Sequence, residues 1–183
     1  MSAPRTVVVV GASQTGLAAA RTLRRRGFDG RLALVGDEPH PPYDRPPLSK
    51  QVLAGEWPPE RTALAVEGDD DLDLEWHLGR RATALDVEAR RVTLDDGDAL
   101  PYDGLVVATG ARPRRLPGTE GLGGVHALRT LDDSVAVRDA LDGGAERVLV
   151  VGAGFIGSEV AATCRSRGAE VVLVEPLPVP LGR

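Results

Sequence analysis

The apolar positions of the chain fall in short blocks separated by amphipathic stretches and by glycine or proline. Val7–Val10 is an unbroken β-branched run stopped by Gly11, a pattern that suits a strand buried on both faces. About a dozen helix-compatible residues follow. Arg24–Arg26 close them in the last turn, where cations suit the helix dipole, and Gly27 takes the left-handed capping position. Leu32–Val35 then predicts a second strand. The same order returns later: an apolar run at 147–151, a helical stretch ending at Arg165–Arg167, Gly168, and a strand at Val171–Val174. The two copies align at a constant offset (152 − 11 = 141), which sets Gly11 on Gly152, Gly16 on Gly157, Ala20 on Ala161, Arg26 on Arg167 and Gly27 on Gly168. Each copy predicts one βαβ unit, with strands buried on both faces in both copies.

Between the copies the pattern changes. Residues 38–47 are dense in proline, which excludes a regular helix or central strand, and 47–53 begin a short helix. Residues 55–73 are polar and acidic and read as a surface excursion. Leu72–His77, Ala82–Asp86 and Arg91–Leu94 alternate, and Asp96-Gly97 supplies a turn, which predicts a small antiparallel sheet attached to the first unit. Leu105–Ala108 is again a buried-type strand. Residues 111–124 read as a linker, and Asp132–Leu141 as a helix closed by Gly143-Gly144.

Composition narrows the function classes. The 183 residues are 42% hydrophobic and 27% charged, an ordinary globular mixture. A single cysteine excludes an internal disulfide, a CxxC dithiol and a self-contained iron–sulfur cluster. His40, His77 and His126 show no metal-ligand spacing, so no metal site is expected. No apolar run approaches the roughly 18 residues of a membrane helix, and Gly11 ends the longest candidate signal-peptide core, Val7–Val10, too early. A formal charge of −5 argues against a nucleic-acid partner. The expectation is a cytoplasmic enzyme domain. Of 22 basic residues only Lys50 is a lysine.

The turn after the first strand of each copy carries the chemistry. In GxGxxG the first glycine permits the sharp turn, the second lets a diphosphate approach the backbone, and the third lets helix pack on strand. Gly152-Ala-Gly154-Phe-Ile-Gly157 fits completely, and Gly11-Ala-Ser13-Gln-Thr-Gly16 carries serine in the middle. An acid about 20 residues on, at the end of the second strand, accepts hydrogen bonds from a ribose. Asp37 and Glu38 stand there in the first copy and Glu175 in the second, where a carboxylate repels a 2′-phosphate and favours NADH over NADPH. The fold class predicted is therefore α/β, with two Rossmann-like dinucleotide-binding units, the second cut short, and a small antiparallel β insertion.

The pieces VVVVGASQTGLAAARTLR, GDEPHPPYDRPPLSK, YDGLVVATGARPRRLPG, LRTLDD and VLVVGAGFIGSEVAA together resemble the FAD-dependent NADH:ferredoxin reductases of bacterial P450 and ring-hydroxylating dioxygenase systems. The most specific is PYDRPPLSK at 42–50. The resemblance implies FAD in the first copy, with Gly11, Ser13, Gln14, Thr15 and Gly16 at its diphosphate and Asp37 and Glu38 at its adenosine ribose. It implies further FAD contacts from Arg45, Lys50, Ala82, the Ala108-Thr109-Gly110 turn and Arg129, with Lys50 beside the isoalloxazine. NADH is implied in the second copy through Gly152, Gly154, Phe155, Ile156, Gly157 and Glu175, with Arg183 near the adenosine end. Glu159, expected on the first turn of its helix, is placed near the nicotinamide and close to the flavin lysine. Acids also favour a first helical turn with no ligand present.

Lys50 and Glu159 are the catalytic candidates. Cys164 reads as a buried core thiol, and Trp57 and Trp76 as packing residues rather than flavin neighbours. Residues 38–50 contain no redox cysteine, so electrons are expected to leave toward an external one-electron acceptor, which the resemblance implies is a [2Fe–2S] ferredoxin. The expected domains are 1–115 for FAD, with the insertion at about 40–100, and 116–183 for the start of an NAD(P)H domain, with the family's C-terminal interface domain absent. The chain is expected to be the N-terminal half of such an enzyme, its last third under-packed in isolation. The alternatives are a non-catalytic nucleotide-binding fragment and a related rubredoxin or nitrite reductase type of NADH oxidoreductase. The oligomeric state is left open.

Overall fold

The computed structural model describes residues 4–182. Its contacts divide the chain into two compact units, one of residues 1–44 and 63–111, the other of residues 45–62 and 112–183. Residues 45–62, from the end of the proline-dense stretch onward, therefore pack with the second unit, although in the sequence they lie within the first.

In the first unit, β1 (Thr6–Val10) pairs in parallel with β2 (Arg31–Gly36) and with β7 (Gly104–Val107), and β2 pairs with β3 (Leu74–Leu78). The sheet order is β3-β2-β1-β7. Leu72–His77 was expected in the antiparallel insertion; Leu74–Leu78 instead forms the parallel edge strand. Its residues lie in register with Leu32–Gly36, and Arg31 holds Glu75 in a two-pronged ion pair at 2.6 and 2.7 Å. The antiparallel sheet is β4 (Ala82–Asp86), β5 (Arg91–Leu94) and β6 (Ala99–Pro101), joined through the Asp96-Gly97 turn.

Strand alternation decides which layer covers which face. Val7, Val9, Leu32 and Leu34 point to α1 (Gln14–Arg25), meeting Ala20 and Leu23. Val8, Ala33 and Val35 point the other way, onto Val92, Leu94 and Leu100 of the antiparallel sheet. The insertion thus seals the second face of the parallel sheet, and β1 and β2 are buried on both sides as predicted. Arg24, in the last turn of α1, donates to the carbonyls of Phe28, Gly30, Leu72 and Asp73, which ties the helix end to the start of β3.

The second unit contains the later copy: β8 (Arg147–Val151), α4 (Phe155–Ser166) and β9 (Glu170–Val174), the strands parallel. Here the expectation of strands buried on both faces fails. Leu149, Val151 and Val172 are more than half exposed, because α4 covers only the opposite face and nothing among the described residues covers theirs. A 3₁₀ turn (Pro46–Ser49) and the short α2 (Gln51–Ala54) pack with α4 and with α3 (Leu131–Asp142). Leu53 joins Cys164 and Ala169 in the core, and burial pushes the Cys164 thiol up. Thr130 and Asp133 form a capping box at the start of α3.

Candidate functional site

The two glycine-rich turns are built alike. Gly11 and Gly152 follow the first strand of their units with φ of +124° and +102°, conformations that strongly favour glycine. Gly11 N–H donates to the Val35 carbonyl at 2.7 Å, and Gly152 N–H to that of Val174 at 2.8 Å. A Cβ on Gly16 would lie 1.9 Å from the Gly11 oxygen, and one on Gly157 1.9 Å from the Gly152 oxygen. The third glycine of each motif is therefore required by helix–strand packing alone.

What each loop presents is also alike. Ser13 caps α1 in an extended conformation without a side-chain capping bond, and Gly154 does the same for α4. Neither helix has an acid in its first turn. Helix α3, which follows no such loop, has both a capping box and two first-turn acids. The first-turn N–H groups of α1 and α4 thus face outward without a competing carboxylate, the requirement for receiving a diphosphate. A Cβ built on Gly154 meets nothing within 4 Å, so this position leaves open space above the loop. Both loops fit the group that the sequence assigns to them.

In the first unit the chain passes from β1 to β2 and β3 on one side and returns to β7 on the other. The crevice at the carboxyl ends of β1 and β7 is a topological switch point, where open α/β sheets bind ligands. Gly11 and the Ala108-Thr109-Gly110 turn meet there: a Cβ on Gly11 would lie 2.0 Å from the Ala108 oxygen. Beyond β2, Asp37 pairs with Arg81 at 3.4 Å, and Gly79 N–H donates to the Glu38 carbonyl at 2.9 Å. Ala82, next in the chain after Arg81, begins β4 and packs against the core cluster that contains Val35. Tyr43 donates its hydroxyl to Glu38. Arg81 and Tyr43 escaped the sequence reading as site residues. Tyr43 lies within the PYDRPPLSK motif, whereas nothing in the sequence marks Arg81.

In the second unit Glu175, at the end of β9, accepts from Ala153 N–H of the glycine loop at 2.8 Å and from Leu177 N–H at 3.0 Å. The acid thus sits against the loop it was expected to serve. A pocket of about 270 Å³ in the second unit is lined by residues between Arg45 and Lys50, by Leu128 and Arg129, and by the start of α4. It gathers Arg45, Lys50, Arg129, Phe155, Ile156 and Glu159, six of the predicted residues. Lys50 Nζ donates to Glu159 Oε2 at 2.8 Å, and Ser49 Oγ donates to the same oxygen. The Lys50 and Ser49 hydrogen bonds hold the Glu159 carboxyl below the usual carboxylate range. Arg45 donates to the Arg129 carbonyl at 2.5 Å, and the buried Arg129 Nε has no acceptor among the described residues. Such a donor suits an anionic or carbonyl-bearing ligand in the pocket.

Glu159 does not stand on the first turn of its helix, where the sequence placed it: α4 starts at Phe155, so Glu159 is its fifth residue. The helix-terminus preference for acids does not explain it, and its contacts with Ser49 and Lys50 do. Gln14 and Thr15 are exposed at the head of α1, and Phe155 and Ile156 are exposed at the mouth of the pocket. Arg183 lies outside the described residues. The backbone anchors Ser134 and Thr163, which bond the Leu48 and Ser49 carbonyls at 2.7 and 2.8 Å, went unread because they stand on helices far away in sequence. Among the described residues no cluster could hold a metal ion and no helix is long and apolar enough to cross a membrane.

Comparison with known proteins agrees with this geometry. The model of the family described as pyridine nucleotide-disulphide oxidoreductase matches residues 5–183. The chain is 44% identical over 171 residues to the biphenyl dioxygenase system ferredoxin–NAD(+) reductase component of Paraburkholderia xenovorans, covering 93% of the chain and 42% of the relative. It is 42% identical over 181 residues to rhodocoxin reductase of Rhodococcus erythropolis, covering 97% of the chain and 42% of the relative. Among solved structures, the ferredoxin reductase for the CYP199A2 system of Rhodopseudomonas palustris matches with a TM-score of 0.91 and 41% identity, over 98% of this chain and 44% of that one. The reductase in a covalent putidaredoxin reductase–putidaredoxin complex matches with a TM-score of 0.90 and 38% identity, over 98% and 44%. The chain thus spans less than half the length of these relatives. With its repeated glycine loops and its match along nearly its whole length, the chain belongs to the pyridine nucleotide-disulphide oxidoreductase family.

Proposed function

We propose that this chain supplies the FAD-holding and NADH-holding loops of an NADH-dependent ferredoxin reductase that serves a bacterial P450 or dioxygenase system. The observation that carries the reading is the repeated loop, Gly11–Gly16 and Gly152–Gly157, with the same glycine packing and the same outward-facing helix start. The names of the similar relatives, reductase components of dioxygenase systems, support the choice of acceptor. A flavin, when bound, accepts a hydride from nicotinamide and releases its two electrons one at a time.

The chain's own residues hold, orient and charge the site. The Gly11 and Gly152 loops receive diphosphates through helix N–H groups. Asp37 and Glu38 take the FAD ribose. Glu175 takes the NADH ribose, and its charge disfavours a 2′-phosphate. The Lys50 ammonium, facing the pocket, stabilises negative charge that builds beside it. Glu159 accepts a hydrogen bond from that ammonium at 2.8 Å on the pocket wall. No cysteine lies in 38–50, so the chain offers no dithiol there and electrons pass to an external one-electron carrier. We assign the protein to the bacterial cytoplasm on the same resemblance. The test is the absorbance of the purified chain after incubation with FAD. Flavin bands that bleach on adding NADH support the reading. Retained flavin that NADH does not bleach supports the non-catalytic nucleotide-binding alternative.

A further inference from the structure

Lys50 and Glu159 are each more than a third exposed, at 39% and 37% of their side chains. An ion pair this open is screened and weak, and a lysine head on a four-carbon stem fixes nothing by itself. Ser49 is different. It is 4% exposed and held from two helices: Thr163 on α4 donates to its carbonyl, and Ser134 on α3 donates to the carbonyl of Leu48 before it. Its hydroxyl has one proton and two acceptors within range, Glu159 Oε2 in close contact and the Pro46 carbonyl at 3.4 Å. The longer contact is too stretched to compete, so the proton goes to the carboxylate.

Glu159 and Thr163 stand four residues apart on α4 and share one face. The helix therefore grips Ser49 at two points, taking a proton from its side chain and giving one to its backbone. We propose that Ser49 is a positioning residue of this site: its buried hydroxyl fixes the Glu159 carboxylate beneath the Lys50 ammonium, and Thr163 fixes Ser49. This deepens the reductase reading and rests on it for the catalytic meaning of the pair. Loss of the hydroxyl leaves Glu159 with only the mobile lysine, so the carboxylate is less favoured and swings more freely. The depressed Glu159 carboxyl agrees, since Ser49 stands second only to Lys50 among its causes. The other charged groups lining the pocket, Arg45 and Arg129, remain in every variant below.

The test is a carbon-13 NMR titration of glutamate carboxyls in the full 183-residue chain without nucleotide, with Glu159→Gln identifying the Glu159 signal. Ser49→Ala is expected to move the Glu159 midpoint upward, and Ser49→Thr, which keeps a hydroxyl, to leave it at the wild-type position. An unmoved midpoint in Ser49→Ala, or one raised equally in Ser49→Thr, overturns the proposal. Should Ser49→Ala fail to fold, Thr163→Val is read instead: an upward shift supports the proposal and no shift overturns it. These results do not depend on FAD. Failure of the chain to bind FAD counts against the reductase reading and leaves the Ser49–Glu159 coupling measurable.

Discussion

Lys50 is the lone lysine among 22 basic residues, and it stands where a cation has work to do. Its amine faces the pocket with one of three protons on Glu159. Lys50→Ala is expected to slow flavin reduction by NADH about 10²-fold in single turnover, with the NADH dissociation constant changed little. A loss confined to NADH affinity would remove the electrostatic role. Glu175→Ala is expected to weaken NADH about tenfold, the cost of one charged hydrogen bond. It should also narrow the gap to NADPH, as competitive titration of the two nucleotides would show. Two carboxylates give a pH dependence whose sign is fixed. Glu75 is pulled down to about 2, chiefly by its bond from Arg31, and Glu159 is also lowered. A carboxyl depressed by folding adds stability above its ordinary range and loses it as pH falls toward the depressed value. Both groups are well exposed, so each contributes at most about 1 kcal/mol. In Arg31→Ala, urea unfolding is expected to show a shallower loss of stability between about pH 5 and 2 than in wild type.

At the scale of elements, the βαβ copies were legible because local rules decide them. A β-branched run, a glycine where φ is positive and an arginine-closed helix are all written within 30 residues. The same holds for α3, whose Thr130–Asp133 capping box sits at its start. Thr130→Ala is expected to cost about 1 kcal/mol of stability by urea denaturation. What was not legible depends on partners far away in sequence. Leu74–Leu78 alternates as an antiparallel strand would, yet it pairs with β2 because Arg31 and the β2 edge lie open to it. Residues 45–62 follow the first βαβ unit but dock on helices 80 to 120 residues later, through bonds such as Ser134–Leu48 and Thr163–Ser49. That docking turns Lys50 and Glu159, 109 residues apart, into neighbours. The roles of the two loops are separable by one substitution. In Gly157→Ala the new Cβ would lie 1.9 Å from the Gly152 oxygen, so α4 must move off its strand. NADH binding is expected to fall below detection by calorimetry while FAD, assigned to the other loop, still binds. Loss of both nucleotides would contradict the division.

Across the whole molecule, one idea is used twice. The first copy is embedded between α1 and an antiparallel sheet that together bury both faces of its strands. The second is covered on one face by α4 and leaves Leu149, Val151 and Val172 exposed. Burial therefore differs between the copies while their loops do not, which indicates that loop geometry is set by the glycines and the strand–helix packing rather than by the surrounding layers. The most direct measurement is a crystal structure of the chain grown with FAD and NAD⁺. The account predicts the FAD diphosphate at the N–H groups of Ser13–Gly16 and the NAD⁺ diphosphate at those of Gly154–Gly157. Diphosphate density elsewhere, or both nucleotides on a single loop, would contradict it.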